Sequence, residues 1–277
     1  MSALYLVGTP IGNLSDLSPR ALEVLSSVDF IAAEDTRVTM KLLNRFEIQK
    51  PLVSYYDRQK NRRSRAESII SRIEAGESCA LVTDAGMPAI SDPGEELVVL
   101  CAERGVEVTA IPGPSAVVTA LALSALPTTK WCFEGFLPAE KSDRRKALAE
   151  LKSERRTMIF YEAPHRLTKT LADMEAAFGS QRRISICREL TKLHEEIIRV
   201  TLTEAIAHYD AAEPRGEYVL VVEGSSEALK VTLSEEDAVT LAKELMAGGL
   251  SPAAAAKQAA KEAGVPKNAI YRALVNE

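Results

Sequence analysis

The chain has 277 residues, 46% hydrophobic and 26% charged, with a net charge of −5, the balance of an ordinary globular protein and not of a polycation that coats nucleic acid. No run is long and apolar enough to cross a bilayer, and Met1-Ser2-Ala3-Leu4-Tyr5 lacks a basic segment followed by an apolar one, so a cytoplasmic protein is expected. Cys79, Cys101, Cys132 and Cys187 are widely spaced, as are His165, His194 and His208, which suits buried thiols in a reducing compartment and argues against a metal centre.

The elements alternate between short β-branched runs and amphipathic helical stretches. Leu4-Tyr5-Leu6-Val7 reads as a strand, and Ser18-Pro19 opens a helix because serine caps it and proline suits its first position. Strands follow at 30–33 and 51–54, a helix at 62–75 that stops at Gly76, and a strand at 79–83. Asp92-Pro93 opens a helix by the same logic, with Asp92 as its cap, and the strand 106–111 ends at Pro112-Gly113-Pro114. Beyond it, strands are expected at 131–136, 156–161, 183–187, 196–202 and 217–223, with helices at 142–152, 165–177 and 203–209. After Gly224-Ser225-Ser226 only helices remain, at 234–247, 251–263 and 267–275, broken by Gly248-Gly249 and Gly264-Val265-Pro266.

This pattern predicts an α/β architecture: residues 1–115 as a first domain with a largely parallel sheet, 116–228 as a second α/β domain with a mixed sheet, and 229–277 as a helical unit. In that last unit the spacing of Ala256, Ala259, Ala260 and Ala263 before Gly264 fits either a helix-turn-helix that contacts nucleic acid or a helical cap that only packs.

Open parallel sheets bind ligands outside the carboxyl ends of their strands. Three loops occupy such ends: Gly8-Thr9-Pro10-Ile11-Gly12-Asn13, the long Thr83–Gly94 loop, and Ile111-Pro112-Gly113-Pro114-Ser115-Ala116. The first is not the dinucleotide fingerprint, because the third glycine is missing. In the second, Asp84 ends a buried strand where a carboxylate needs a partner, such as a ligand amine or ribose hydroxyl. The third starts a helix whose first amides are free to bond a ligand.

The motifs Gly8-Thr-Pro-Ile-Gly-Asn13, Glu34-Asp-Thr-Arg37, Ser91-Asp-Pro-Gly94, Pro112-Gly-Pro-Ser-Ala116 and Phe160-Tyr-Glu-Ala-Pro-His-Arg166 together resemble the tetrapyrrole methylase superfamily, and within it the branch that methylates the 2′-hydroxyl of a cytidine ribose in small-subunit (16S) ribosomal RNA. The resemblance covers nearly the whole chain. It implies two α/β domains of tetrapyrrole methylase type with S-adenosyl-L-methionine (SAM) in the cleft between them, a homodimer, and no metal. By position it puts SAM near Ile11, Asp84, Met87, Ser115, Ala116 and Tyr161. Two departures stand out: Met87 where threonine is usual, and Lys60-Asn61-Arg62 where His-Asn-Glu is common.

Transfer to a ribose hydroxyl requires alignment, exclusion of water and a group that favours loss of the hydroxyl proton. Candidates are Arg188, Glu189 and Lys192 after one strand, with Glu195 and Glu196 beyond, and Glu162, His165 and Arg166 after another; Glu189 and Lys192 read equally as a surface ion pair. Cations that could face phosphate form three clusters: Arg58, Lys60, Arg62, Arg63 and Arg65; Lys141, Arg144, Arg145 and Lys146; and Lys257, Lys261, Lys267 and Arg272. The expected partner is the small ribosomal subunit, with no membrane. The rival readings are methylation of a small tetrapyrrole or corrinoid precursor, which needs neither basic clusters nor a helical tail, and a ligand-sensing DNA-binding regulator.

Overall fold

A computed structural model describes residues 2–55, 62–211, 213–226, 235–263 and 266–275. Among them no helix is long and apolar enough to cross a membrane. The chain divides into two compact units, 1–223 and 224–277.

The first unit opens with a five-stranded sheet of β1 (Leu4–Val7), β2 (Phe30–Ala33), β3 (Leu52–Ser54), β4 (Cys79–Val82) and β5 (Val108–Ile111), in the order β3-β2-β4-β1-β5. Every pairing in it is parallel. Helices α1 (Pro19–Ser27), α2 (Thr36–Arg45), α3 (Arg62–Glu74) and α4 (Glu95–Arg104) cover both faces, and the strands are accordingly apolar throughout rather than alternating. The period of two decides which side chain meets which helix. Phe30, Ala32, Cys79 and Leu81 pack with Ile69, Ile70 and Ile73 of α3 and Leu97 and Leu100 of α4. Ile31, Ala33, Ala80 and Val82 pack with Ala21 and Leu25 of α1 and Leu43 of α2.

Ser18 caps α1 through its hydroxyl, which accepts the Ala21 N–H, with Pro19 at the first helical position. Helix α2 has no counterpart among the expected elements. Asp35 caps it by accepting the Arg37 N–H at 2.8 Å. Helix α4 begins later than expected: Gly94, not Asp92, occupies its cap position, and no side chain caps it.

Helix α5 (Ala116–Leu123) leads into a second, mixed sheet of β6 (Trp131–Phe136), β7 (Thr157–Glu162), β8 (Arg183–Arg188), β9 (Glu196–Thr201) and β10 (Tyr218–Val222). Its order is β6-β7-β10-β8-β9; β6 and β7 run parallel and the other pairs antiparallel. One face packs Met158, Phe160, Ile186 and Leu220 against α6 (Lys141–Glu150), α7 (Leu167–Phe178) and α8 (Leu202–Asp210). The other packs Ile159, Cys187, Val219 and Val221 against Val117, Ala120 and Leu121 of α5. Helix α8 starts with a reciprocal cap in which Thr201 and Glu204 each satisfy the other's backbone N–H.

The second unit holds α9 (Glu235–Ala247), α10 (Pro252–Ala263) and α11 (Lys267–Val275). Its core is Ala238, Ala242, Ala255, Ala256, Ala259 and Ala263 around Ile270, so the helix backbones approach closely. Gly264 and Val265, where the helix-turn-helix turn was expected, lie outside the described residues.

Candidate functional site

The order β4-β1-β5 sets three strand-end loops side by side. The first two are laced together: the Thr9 N–H donates to the Gly86 carbonyl at 2.9 Å, the Gly86 N–H to the Thr9 carbonyl at 3.0 Å, and the Thr9 hydroxyl to the Thr83 carbonyl at 3.1 Å. The first and third meet backbone to backbone. A Cβ on Gly113 would fall 2.8 Å from the Gly8 Cα and 2.9 Å from the Gly8 carbonyl oxygen, so neither position admits a side chain without moving main chain. In the long loop Ala89 and Ser91 hold positive φ, 68° and 65°, a conformation that costs L residues energy and is kept only where the surroundings enforce it.

These loops and the second sheet enclose a cavity of about 700 Å³, the size of a small-molecule site. From the first sheet's side come Ile11, Ala85, Gly86, Met87, Ile90, Ser91 and Asp92, followed by Ser115, Ala116, Val117 and Val118 at the start of α5. The Ser115 side chain makes no cap hydrogen bond there, so the first amides of α5 lack an internal partner. From the second sheet come Trp131, Phe133, Phe136, Tyr161, Glu162, Cys187, Glu217, Tyr218 and Val219.

The aromatic wall depends on one irregularity. Along β6 the pairing with β7 jumps from Phe133↔Ile159 to Gly135↔Phe160, so Glu134 is an extra residue. A regular strand would turn Phe133 and Phe136 to opposite faces; the bulge returns both to the cavity face. Their rings lie 5.0 and 5.4 Å from that of Tyr161, and Gly135 supplies the left-handed φ of 65°. Phe136 remains 57% exposed and Trp131 39%.

Five of the six residues expected around a cofactor, Ile11, Met87, Ser115, Ala116 and Tyr161, line this cavity. Asp84 does not. It is exposed, and its carboxylate accepts the Asp35 N–H at 3.2 Å while its own N–H donates to Glu34. The partner its position demands is therefore the β2 loop. Asp92, expected only as a cap, lines the cavity instead. Burial, with the nearby Glu34 and Asp84 carboxylates, pushes its carboxyl up to about 6. Burial and then Asp92 push the Tyr161 phenol up to about 12.

Arg188, Glu189 and Lys192 line no part of the cavity; they hold the loop that follows β8. Lys192 Nζ lies 2.9 Å from both Glu189 and Glu217, Glu189 also accepts the Glu217 N–H at 2.9 Å, and Arg188 donates to the Arg215 carbonyl and pairs with Glu196. Burial alone would raise the Glu189 carboxyl, but hydrogen bonds from Lys192 and the Glu217 N–H hold it below its usual value. The loop abuts the first strand-end loop, since a Cβ on Gly12 would fall 2.5 Å from the Lys192 Cγ. Glu162 is buried and bound to Thr170 and Arg166, and His165 is exposed.

The basic clusters separate. Arg144 is only 4% exposed; it pairs with Asp173 at 2.6 Å and donates to the Ala139 carbonyl, so it is a core ion-pair partner and not a phosphate ligand. Arg145 pairs with the other Asp173 oxygen but stays largely exposed. Arg63 is exposed beside Glu67, and Arg65 donates to the Ser54 carbonyl. Lys257, Lys267 and Arg272 are exposed in the second unit. Arg58 and Lys60 lie outside the described residues, as do the side chains of Arg62 and Lys261. Among the described residues no group of three or more His, Cys, Asp or Glu could hold a metal ion.

Residues 3–206 match the family model of the Tetrapyrrole (Corrin/Porphyrin) Methylases. The chain is 49% identical to the ribosomal RNA small subunit methyltransferase I of Halalkalibacterium halodurans, over 97% of this chain and 93% of that one. It is 46% identical to the protein of the same name from Synechocystis, over 98% and 97%. Among solved structures it is similar to a diphthine synthase, with a TM-score of 0.61 at 14% identity over 82% of this chain and 92% of that one. It is also similar to the Thermus thermophilus uroporphyrin-III C-methyl transferase complexed with S-adenyl homocysteine, with a TM-score of 0.54 at 17% identity over 80% and 97%. The chain thus belongs to the tetrapyrrole methylase family, and within it to the group formed by its ribosomal RNA small subunit methyltransferase I relatives.

Proposed function

We propose that the chain is a SAM-dependent methyltransferase that 2′-O-methylates a cytidine ribose of small-subunit ribosomal RNA. The observation that carries this reading is the cavity at the ends of β4, β1 and β5, closed by an aromatic wall from the second sheet, in a chain whose near-full-length relatives bear that name. SAM supplies an electrophilic methyl group on a sulfonium. The residues present suit such a donor: the volume is ample, Ile11 and Met87 give apolar surface, the free amides at Ser115 and Ala116 suit a carboxylate or adenine edge, and Asp92 offers a carboxylate to a cation. Tyr161 completes the donor site from the second sheet.

In this reading residues 1–115 and 116–228 are the two domains flanking the donor, and 229–277 serve RNA contact. The loop closed by Arg188, Glu189 and Lys192 carries Leu190 in the cavity wall and ties Glu217 beside it. Arg63, Arg145, Lys257 and Lys267 are exposed cations available to phosphate. Val38 and Met40 of α2 are exposed apolar side chains suited to a second copy, and the chain acts as a cytoplasmic homodimer, which sedimentation would test. The decisive experiment is mass mapping of ribose methylation in small-subunit RNA incubated with the protein and SAM. A single new 2′-O-methylcytidine is expected; none would refute the reading.

A further inference from the structure

Four large apolar side chains of the cavity lining stay exposed and so mark its mouth: Ile90 and Val118 on the first sheet's side, Trp131 and Phe136 on the second. An isolated apolar side chain in water needs no explanation, but the backbone that presents Phe136 is clamped. The three residues after it, Leu137, Pro138 and Ala139, turn their carbonyls to two guanidinium groups. Arg166 donates to the Leu137 and Pro138 carbonyls and lies 3.3 Å from the buried Glu162. Arg144 donates to the Ala139 carbonyl at 2.9 Å and pairs with the buried Asp173 at 2.6 Å. Leu137 is itself buried, and on the strand side the Phe136 ring leans on Tyr161, 5.4 Å away. Buried ion pairs add little net stability over apolar packing, so the clamp is better explained by what it fixes, which is the place of one exposed ring. Cationic charge lies beside that turn: Arg145 shares the Asp173 carboxylate with Arg144, and Lys141 sits one turn earlier on α6, both exposed.

We infer that Phe136 is the platform on which one unpaired base of the small-subunit RNA stacks, which turns its ribose toward the methyl donor, with Lys141 and Arg145 available to the adjoining phosphates. The inference rests on the function proposed above. Specific RNA contacts are made mainly to unpaired bases that stack on aromatic rings, and a planar ring of fixed position holds such a base at little entropic cost. A ribose whose hydroxyl must meet a donor inside the cavity brings its base to the mouth, where Phe136 stands.

The test compares wild type with Phe136→Ala, Phe136→Leu and Phe136→Tyr on isolated small ribosomal subunits, measuring kcat and KM, with calorimetry for SAM. The Ala and Leu variants should raise KM for subunits roughly tenfold, whereas Tyr should stay within about twofold of wild type, because tyrosine keeps the planar face and leucine only the apolar bulk. Affinity for SAM should stay within about twofold in all three. Trp131 is the single tryptophan of the chain, so 5-hydroxytryptophan in its place can be excited apart from the tryptophans of ribosomal proteins. Its emission should be quenched when subunits bind. The inference is overturned if the Ala variant keeps the wild-type KM, if Leu rescues as well as Tyr, or if the emission does not change on binding. It is equally overturned if affinity for SAM falls as far as affinity for subunits, which would make the ring a donor contact. A wild-type protein that binds SAM but methylates no subunit RNA would refute the proposed function, whereas an active wild type with indistinguishable variants sinks this inference alone.

Discussion

The two walls of the cavity are made differently. The first sheet's wall is shaped by main chain: glycines that let loops touch, amides at the start of α5, and a strained loop that carries Met87, Ile90 and Asp92. The second contributes side chains, with a bulge aiming two phenylalanines at one tyrosine. A main-chain wall fails through backbone collision, whereas a side-chain wall fails through lost contacts and lost supports. Substitutions should therefore act through stability and donor binding on the first side, and on the second through substrate recognition at exposed rings such as Phe136, with Tyr161 as the donor contact there.

The largest effect is expected behind the side-chain wall. Asp173→Asn leaves Arg144 buried without its carboxylate, which should cost about 3–5 kcal/mol in denaturant unfolding. Burial raises the Asp173 carboxyl, but hydrogen bonds from Arg145 and Arg144 outweigh it and leave it lowered. The pair's contribution is thus present above the ordinary pKa of 3.8 and is lost as pH falls through the lowered folded value. Melting curves of wild type and variant should converge in acid.

Next comes the main-chain wall. Gly113→Ala sets a Cβ 2.8 Å from the Gly8 Cα, and overpacking of this kind costs about 1–3 kcal/mol. Calorimetry should show weakened SAM binding along with the lower melting temperature. Phe136→Ala should do the reverse, sparing SAM affinity while raising KM for small subunits roughly tenfold, if the exposed ring stacks a base. Equal loss of SAM affinity in both variants would erase the distinction between the walls.

The smallest effect has the opposite sign. The folded Asp92 carboxyl is raised to about 6 from 3.8, so the stability it contributes is full below the unfolded value and lost as pH rises to about 6. Without ligand, Asp92→Asn should then stabilise the protein above that pH by on the order of 1 kcal/mol, reduced by solvent screening at a half-exposed site. Melting at pH 5 and pH 8 checks the sign.

How much of this was legible in the sequence follows the same division. Glycines and prolines at strand ends mark a main-chain site directly, so the three loops and Ser18-Pro19 were readable from residue type alone. Helix α2 announces itself only through Asp35, an ordinary helix cap embedded in the motif Glu34-Asp35-Thr36-Arg37. Asp92 reads as such a cap because Pro93 follows it; Gly94 delays the helix and frees the carboxylate for the cavity. Arg144 and Arg145 looked alike as neighbours in a basic run, yet the helical period turns one into the core and leaves the other outside. The bulge at Glu134 has no sequence signature beyond Gly135, so the aromatic wall was illegible.

The four cysteines are free thiols. Burial pushes Cys79 up to about 12, Cys101 to about 11 and, with Glu134 adding to it, Cys132 to about 12, and it raises Cys187 as well. Since the thiolate is the reactive species, all four should resist maleimide at neutral pH. One serine on the surface, such as Ser142, could then be exchanged for cysteine and carry a fluorophore or spin label at that single address, leaving the native thiols in place during spectroscopy on the ribosomal subunit.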